Sequence, residues 1–263
     1  MSSAFPDDYF SKPTVARVQD HLDGGTDNYR PDRDFARALI TAAPWLPGSV
    51  RVNRAHGPRI LNCLTRVYGI DQVVDLGCGL PHADNRYLPN EVRRMVYVDS
   101  DPGAEAHARM VLAERHGTAS LRADLENMPT LVASEPIAQL DRGRPVGVLL
   151  HDVLPWVGVQ AVHTALAALR SWLPAGSVLS ITHATTDMAP KAMGALTRLY
   201  EEAGIGFWPR SGQQIRDLLS SWAPLETGEF VTTASWGRRT ALHPRFDHSH
   251  AYAILASPGD RTS

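Results

Sequence analysis

The sequence is short of several things, and each shortage excludes a class of protein. Two cysteines in 263 residues, Cys63 and Cys78, supply neither a disulfide framework nor a thiolate quartet for zinc. The absence of a disulfide framework points to a reducing cytoplasm. Lysine is almost missing. Of 26 basic residues only Lys12 and Lys191 are lysine, a bias we read as GC-rich codon usage rather than a programme of ion pairing. Net positive charge is missing too: the formal charge is -2, and without clustered excess cations a general nucleic-acid binder is not expected. No run approaches the roughly 20 apolar residues of a membrane span. The opening MSSAFPDDYFSKP lacks the basic and apolar regions of a secretory signal. What remains is ordinary globular usage, with 43% hydrophobic and 21% charged residues, and enough chain to bury a core without staples.

The texture of the chain changes near residue 70. Before it, Val15, Val18 and Leu22, then Phe35 and Leu39, recur at helical spacing, with the turn-rich GGTDNYRPDRD between them. A further helix is expected over 51–68, with Ile60, Leu61, Leu64 and Val67 on one face. From Gln72, short apolar runs alternate with helical stretches. The runs are QVVDL (72–76), MVYVD (95–99), ASLRA (119–123), VGVLL (146–150), SVLSIT (177–182) and AYAILA (251–256). The helices expected between them cover 103–116, 126–134, 159–172 and 189–203. This alternation implies βαβ units and a mostly parallel sheet. A further strand near 225–233 and the one near 250–256 are expected to end the sheet as an antiparallel pair. We therefore divide the chain into an N-terminal helical cap, 1–70, and an α/β core, 71–263. About 70 helical residues have little core of their own, so the division is not expected to separate independent folds.

Four signals fall at the carboxyl end of the expected strands, where open α/β sheets bind ligands. The first is Asp75-Leu76-Gly77-Cys78-Gly79. Its glycines permit positive φ and close backbone approach. The third glycine of a dinucleotide fingerprint is replaced by His82, and Leu80-Pro81-His82 delays any helix. An adenosyl group without a pyrophosphate fits this turn better than a dinucleotide does. The second signal is Asp99, with Ser100 beside it, 20 residues beyond Gly79. An acid there suits the two ribose hydroxyls, although capping of the next helix by Asp101 or Ser100 has to be accounted for as well. The third is Asp124-Leu125, a carboxylate for an adenine amine and an apolar side chain for the ring face; Asp124 is also a candidate helix cap. The fourth is His151-Asp152 after the fourth run, placed to contact the cofactor's amino-acid part or to do acid–base work.

This order of motifs resembles class I S-adenosylmethionine-dependent methyltransferases. More narrowly, the chain resembles a bacterial S-adenosyl methyltransferase family long catalogued as a domain of unknown function. The resemblance runs from about residue 12 to 256. It rests on Arg17-Val18-Gln19-Asp20-His21-Leu22-Asp23-Gly24-Gly25-Thr26-Asp27-Asn28-Tyr29, Asp32-Arg33, Asn53-Arg54, DLGCGLP (75–81), Asn85, VYVDSDP (96–102), ADL (123–125), RPVGVLL (144–150) and SITHAT (180–185). It implies a doubly wound, seven-stranded, mostly parallel Rossmann-like sheet with the last strand antiparallel. It also implies S-adenosylmethionine as cofactor at the carboxyl edge. One departure concerns the loop after strand four. Relatives often read Leu-His-Phe there, and this chain reads Leu154-Pro155-Trp156.

Within this frame Asp27, Asn28 and Tyr29 are candidates to fold over the sheet edge, and Arg54 to pair with the methionine carboxylate. An ordinary capped helix–helix turn is the plainer alternative for the same loop. His151 and His183 are the candidate general bases, against a structural role for each. Trp156, Phe207, Trp208 and Trp236 are candidates for an apolar pocket wall. His243, His248 and His250 have only a loose metal-like spacing, and no metal site is expected. The acceptor is expected to be a small molecule, with no nucleic-acid or membrane partner; the oligomeric state stays open. Two other readings stand beside methyl transfer: an NAD-dependent oxidoreductase, and a non-catalytic module that binds the cofactor.

Overall fold

Residues 5–82, 87–225, 230–238, 240–243 and 247–259 are described by the computed structural model of the chain. Asn85 lies outside them. The helical spacing before residue 70 resolves into α1 (Val15–Asp23), α2 (Arg30–Ala42), α3 (Leu46–Arg54) and α4 (His56–Arg66). Pro31 sits in the first turn of α2, where its missing N–H costs nothing. The Asp32 carboxylate accepts the Tyr29 N–H at 2.8 Å to close that turn. The same carboxylate takes the Arg17 guanidinium at 2.8 Å, and both side chains are withdrawn from water. This buried ion pair fastens α1 to α2.

The remaining elements are β1 (Gln72–Leu76), β2 (Arg94–Asp99), α5 (Pro102–Val111), β3 (Thr118–Arg122), α6 (Met128–Ala133), α7 (Glu135–Ala138), β4 (Gly147–His151), α8 (Val159–Trp172), β5 (Val178–Ala184), α9 (Pro190–Glu202), α10 (Gly212–Leu218), β6 (Ala223–Pro224), β7 (Val231–Thr232) and β8 (Ala251–Ser257). The sheet runs β3-β2-β1-β4-β5-β8-β6, with β7 also paired to β8. β1 to β5 are mutually parallel. β8 is antiparallel to β5, β6 and β7. The Rossmann-like order is therefore present, with eight strands among the described residues where seven were expected. The strand expected over 225–233 is replaced by β6 and β7, two residues each. The helix expected over 126–134 begins as a 3-10 turn at Leu125–Asn127 before α6; Pro129, which has no N–H to donate, sets that break.

Strand residues alternate between two cores, as a pleated sheet covered on both faces requires. Val74, Leu76, Val96, Val98, Val148 and Leu150 pack under α6 and α8. Val73, Met95, Tyr97 and Leu149 pack under α4 and α5. A third cluster joins Val18, Leu22 and Leu39 of the cap to Met193, Leu196 and Tyr200 of α9. The cap thus has its apolar faces covered by the α/β part, and α1 lies over the carboxyl end of β4.

Candidate functional site

The turn after β1 is tied to the end of β2. The Gly77 and Cys78 N–H groups both donate to the Val98 carbonyl, at 2.7 and 3.0 Å. Gly77 has φ of 78°, and a Cβ on it would stand 2.4 Å from Val153 Cγ2; both the backbone conformation and the space demand glycine. The Gly79 N–H donates to Asp99 Oδ2 at 2.8 Å, and the Asp101 N–H to Asp99 Oδ1 at 2.9 Å. Asp101 itself caps α5, accepting from Gly103 N at 2.7 Å and Ala104 N at 3.1 Å. Capping is therefore done by Asp101, and Asp99 stays at the rim. Across from it, Asp124 accepts the Glu126 N–H at 2.9 Å, capping the 3-10 turn.

These residues surround a cavity of about 520 Å³, within the range of roughly 300–1,000 Å³ usual for small-molecule sites. Asp75, Gly77, Gly79, Asp99, Ser100, Asp124, Leu125, Arg54 and His151 all line it. Val15, Ala16 and Gln19 of α1 line it as well, with Asp152, Trp156 and Val157 from the loop after β4. Burial sets the charge states. Burial, helped by the Asp99 charge, pushes the Asp75 carboxyl up to about 7. Asp99 is pushed up to about 6 by burial, with the Asp101 and Gly79 N–H groups holding it down. Asp152 is pushed up to about 7 by burial, partly offset by Arg54. Burial takes the His151 imidazole down to about 4, so it is neutral at pH 7; its Nε2 meets Ser180 Oγ at 2.9 Å.

Arg54 is the one Lys or Arg side chain among the residues lining the cavity. Its Nε lies 3.4 Å from Asp23 Oδ2, and its guanidinium donates to the Leu80 carbonyl at 3.2 Å. Asp23 also faces His82 Nε2 at 3.1 Å. One carboxylate at the end of α1 thus gathers α3 and the loop after β1.

The remaining expected residues sit elsewhere. Asp27, Asn28 and Tyr29 are not part of the cavity lining. Asn28 is buried and donates to Asp20 Oδ2 at 2.7 Å and to the Gly25 carbonyl at 3.0 Å. Gly25 approaches Asp20 so closely that a Cβ there would fall 1.9 Å from Asp20 Oδ1. Asp27 lies 3.4 Å from His107 Nδ1 at the surface. Tyr29 caps α2 and its ring meets that of Phe10 at 5.3 Å. The GGTDNY segment is a turn fastened by Asn28 to the Gly25 carbonyl and to Asp20 of α1.

His183 is also away from the lining, with 0% exposure. Its Nδ1–H donates to the Ala184 carbonyl at 2.8 Å, and its Nε2 accepts from Arg210 at 2.9 Å. Burial holds it at about 3, so it is neutral. Arg210 in turn donates to the Leu154 and Val157 carbonyls, at 2.8 and 3.0 Å, and so fixes the loop that carries Trp156. Of the four aromatic candidates only Trp156 lines the cavity. Phe207 packs behind it with Tyr200, Trp236 packs on His56, and Trp208 is half exposed. Among the described residues no three His, Cys, Asp or Glu side chains gather as a metal would need, and no helix is long and apolar enough to cross a membrane.

Sequence reasoning missed Gln19 and Arg210 as contributors. Gln19 carries a signal in hindsight: Val15, Ala16, Gln19 and Asp23 form a second stripe on α1, beside the apolar stripe of Val18 and Leu22. Arg210 carries none, because its partners, the Leu154 and Val157 carbonyls and His183 Nε2, are brought to it only by the fold.

The sequence profile of an S-adenosyl methyltransferase family matches residues 7–258. A putative methyltransferase from Thermobifida fusca YX, solved as a crystal structure, is 30% identical, with 94% of this chain and 96% of that one covered and a TM-score of 0.85. A DUF574 family protein from Streptomyces avermitilis MA-4680 is 25% identical, with 94% and 98% covered and a TM-score of 0.85. No curated protein matches the chain.

Proposed function

Because the chain belongs to the S-adenosyl methyltransferase family, and its cofactor is S-adenosylmethionine, we propose that the cavity rim holds that cofactor and that the part lined by α1 and the loop after β4 receives a small-molecule acceptor. The observation that carries the reading is the join of Gly79 to Asp99. It sets a glycine turn and a carboxylate side by side at the cavity, with no helix following the turn through residue 82. A pyrophosphate would need such a helix N-terminus; an adenosyl group needs only the backbone, a carboxylate for its sugar and a flat wall. In this reading Asp99 binds the ribose hydroxyls, with Ser100 beside it. Asp124 and Leu125 take the adenine, and Asp75 lies under the turn. Arg54 pairs with the methionine carboxylate.

The bound cofactor supplies a methyl group on a positively charged sulfur. The chain's own contribution is to hold the acceptor against that group and keep water out. Neutral His151, donating to or accepting from Ser180, shapes the floor of the cavity. His183 acts one step back, through Arg210 and the 154–157 loop, as a positioning residue. Asp27, Asn28 and Tyr29 act through the turn that sets Asp23, which holds Arg54; residues 1–70 thereby serve as a lid as well as a cap. We place the protein in the cytoplasm, where the cysteines Cys63 and Cys78, which form no disulfide among the described residues, stay reduced.

Calorimetric titration with S-adenosylhomocysteine, S-adenosylmethionine and NAD tests this. The two adenosyl compounds bind and NAD does not, and Asp99→Ala weakens S-adenosylhomocysteine by at least tenfold while the thermal melt stays cooperative. Equal binding by the variant, or tighter binding of NAD, removes the proposal.

A further inference from the structure

Asp152 is an ionisable side chain at the cavity that the cofactor assignment leaves unused. It follows β4 with φ of 56°, in the left-handed region that non-glycine residues rarely adopt. Its N–H is held there by the carbonyl and hydroxyl of Thr182, at 3.1 and 2.9 Å. Backbone strain of this kind persists where the surroundings enforce it, and it concentrates at ligand sites. The one side-chain hydrogen bond that its carboxylate accepts among the described residues is long, 3.5 Å from Gln19 Nε2. Asp152 is partly withdrawn from water at the cavity wall, so its carboxylate keeps capacity for a further donor.

The walls around it show what would supply that donor. Acids dominate the lining: Asp75, Asp99, Asp101, Asp124, Glu126 and Asp152 stand against the single guanidinium of Arg54, which is already paired with Asp23. A field of that sign favours a cation and repels a carboxylate. Apolar side chains share the cavity lining with Asp152, among them Val15, Ala16, Trp156 and Val157. Trp156 is backed by Tyr200 and Phe207, at ring distances of 5.0 and 4.6 Å.

Resting on the cofactor reading above, we propose that the methyl acceptor is a small amine on an apolar or aromatic body. Asp152, backed by Gln19, binds its ammonium and takes the proton its nitrogen must shed. The ammonium passes one proton to the Asp152 carboxylate. The lone pair so freed forms the N–C bond to the methyl group, while the C–S bond breaks with its electrons on sulfur. A methylated ammonium and a neutral thioether result, and Asp152 returns its proton to water when the product leaves. Charged or titratable groups acting on Asp152 are Arg54 on α3 and Tyr200 on α9, whose hydroxyl burial and the Asp152 charge push up. With burial holding Asp152 near 7, the carboxyl can both give and take a proton at neutral pH.

The test is calorimetry on the full chain saturated with S-adenosylhomocysteine, using two matched sets of probes. One is phenethylamine, 2-phenylethanol and phenylacetate; the other is tryptamine, tryptophol and indole-3-acetate. Asp152→Asn keeps the shape and suits a positive φ, so it is the variant to use. The expected result is that in at least one set the amine binds at least tenfold tighter than its alcohol and acid. Binding at pH 7 releases a fraction of a proton, seen by comparing two buffers. Asp152→Asn loses at least tenfold in amine affinity and the proton release, with S-adenosylhomocysteine affinity changed less than threefold. The proposal is overturned by the absence of any amine preference in both sets, or by a variant that binds the amine like wild type. It is equally overturned if the variant loses S-adenosylhomocysteine, because Asp152 would then serve the cofactor. Failure of the wild-type chain to bind S-adenosylhomocysteine overturns the cofactor reading, and this one with it.

Discussion

Asp23, the last residue of α1, faces Arg54, the last residue of α3, across 3.4 Å. The Asp23 side chain is almost wholly buried, and it meets His82 Nε2 at 3.1 Å as well. The cation at the cavity is thus aimed by a residue of the cap, 31 positions earlier. Removing the aim weakens the grip without touching the cofactor. Asp23→Asn is expected to lower S-adenosylhomocysteine affinity by about threefold to tenfold, and Arg54→Ala by more, as loss of a charged hydrogen bond worth about 1.5–3 kcal/mol implies. Calorimetry on the two variants checks the order; an Asp23→Asn loss larger than that of Arg54→Ala contradicts it.

Gly77→Ala is expected to disable binding and to destabilise the chain together. Its φ of 78° disfavours any side chain, and the new Cβ would lie 2.4 Å from Val153 Cγ2. The strain is on the order of 1–3 kcal/mol, and relief requires moving the loop that carries Asp152 and Trp156. Urea unfolding and S-adenosylhomocysteine titration should both shift; a change in neither contradicts the geometry.

The Arg17–Asp32 pair carries the largest expected stability effect. Breaking it from the acid side leaves a buried guanidinium uncompensated, and the Thr14 and Tyr29 N–H groups lose their acceptor. Asp32→Ala is expected to cost about 3–5 kcal/mol, with α1 loosened first. Hydrogen exchange should show residues 15–23 losing protection ahead of β1 and β4.

The pH dependence has two opposing parts. His151 and His183 fall from an ordinary 6.5 to about 4 and about 3. The unfolded chain binds their protons first, so stability present above 6.5 is lost as pH falls toward 4. Asp75 and Asp152 rise from an ordinary 3.8 to about 7. Their stability is present below 3.8 and is lost as pH rises toward 7. Asp152→Asn therefore gains stability over wild type at pH 8, by about 1–3 kcal/mol, and the gain fades below pH 4. Urea titrations at pH 4, 6 and 8 measure it; an equal gain at all three values would show that the carboxyl titrates alike in the folded and unfolded chain.

How much of the site was readable depends on how local its geometry is. Gly77, Gly79 and Asp99 were found because a strand end and a tight turn are properties of a few consecutive residues. GGTDNY was singled out for the same reason, but its polar groups are taken up by the flanking helices, with Asn28 on Asp20 of α1 and Tyr29 on the α2 end, and Asp27, Asn28 and Tyr29 do not line the cavity. His183 illustrates the opposite limit. A histidine at a strand end looks available in sequence, and only the arrival of Arg210, 27 residues on, shows that both ring nitrogens are used.

The chain order of apolar runs, turns and strand-end acids was sufficient to define the parallel sheet and the carboxyl edge at which the cavity lies, because periodicity and glycine backbone freedom act within a few residues. Tertiary packing alone decided which residues face that rim from outside the sheet. Gln19 reaches Asp152 across 133 positions, and Arg54 is aimed by Asp23, because the apolar stripe of α1 must be buried against α2 and α3. That burial carries the polar stripe beside it over the end of β4, a consequence no local pattern encodes.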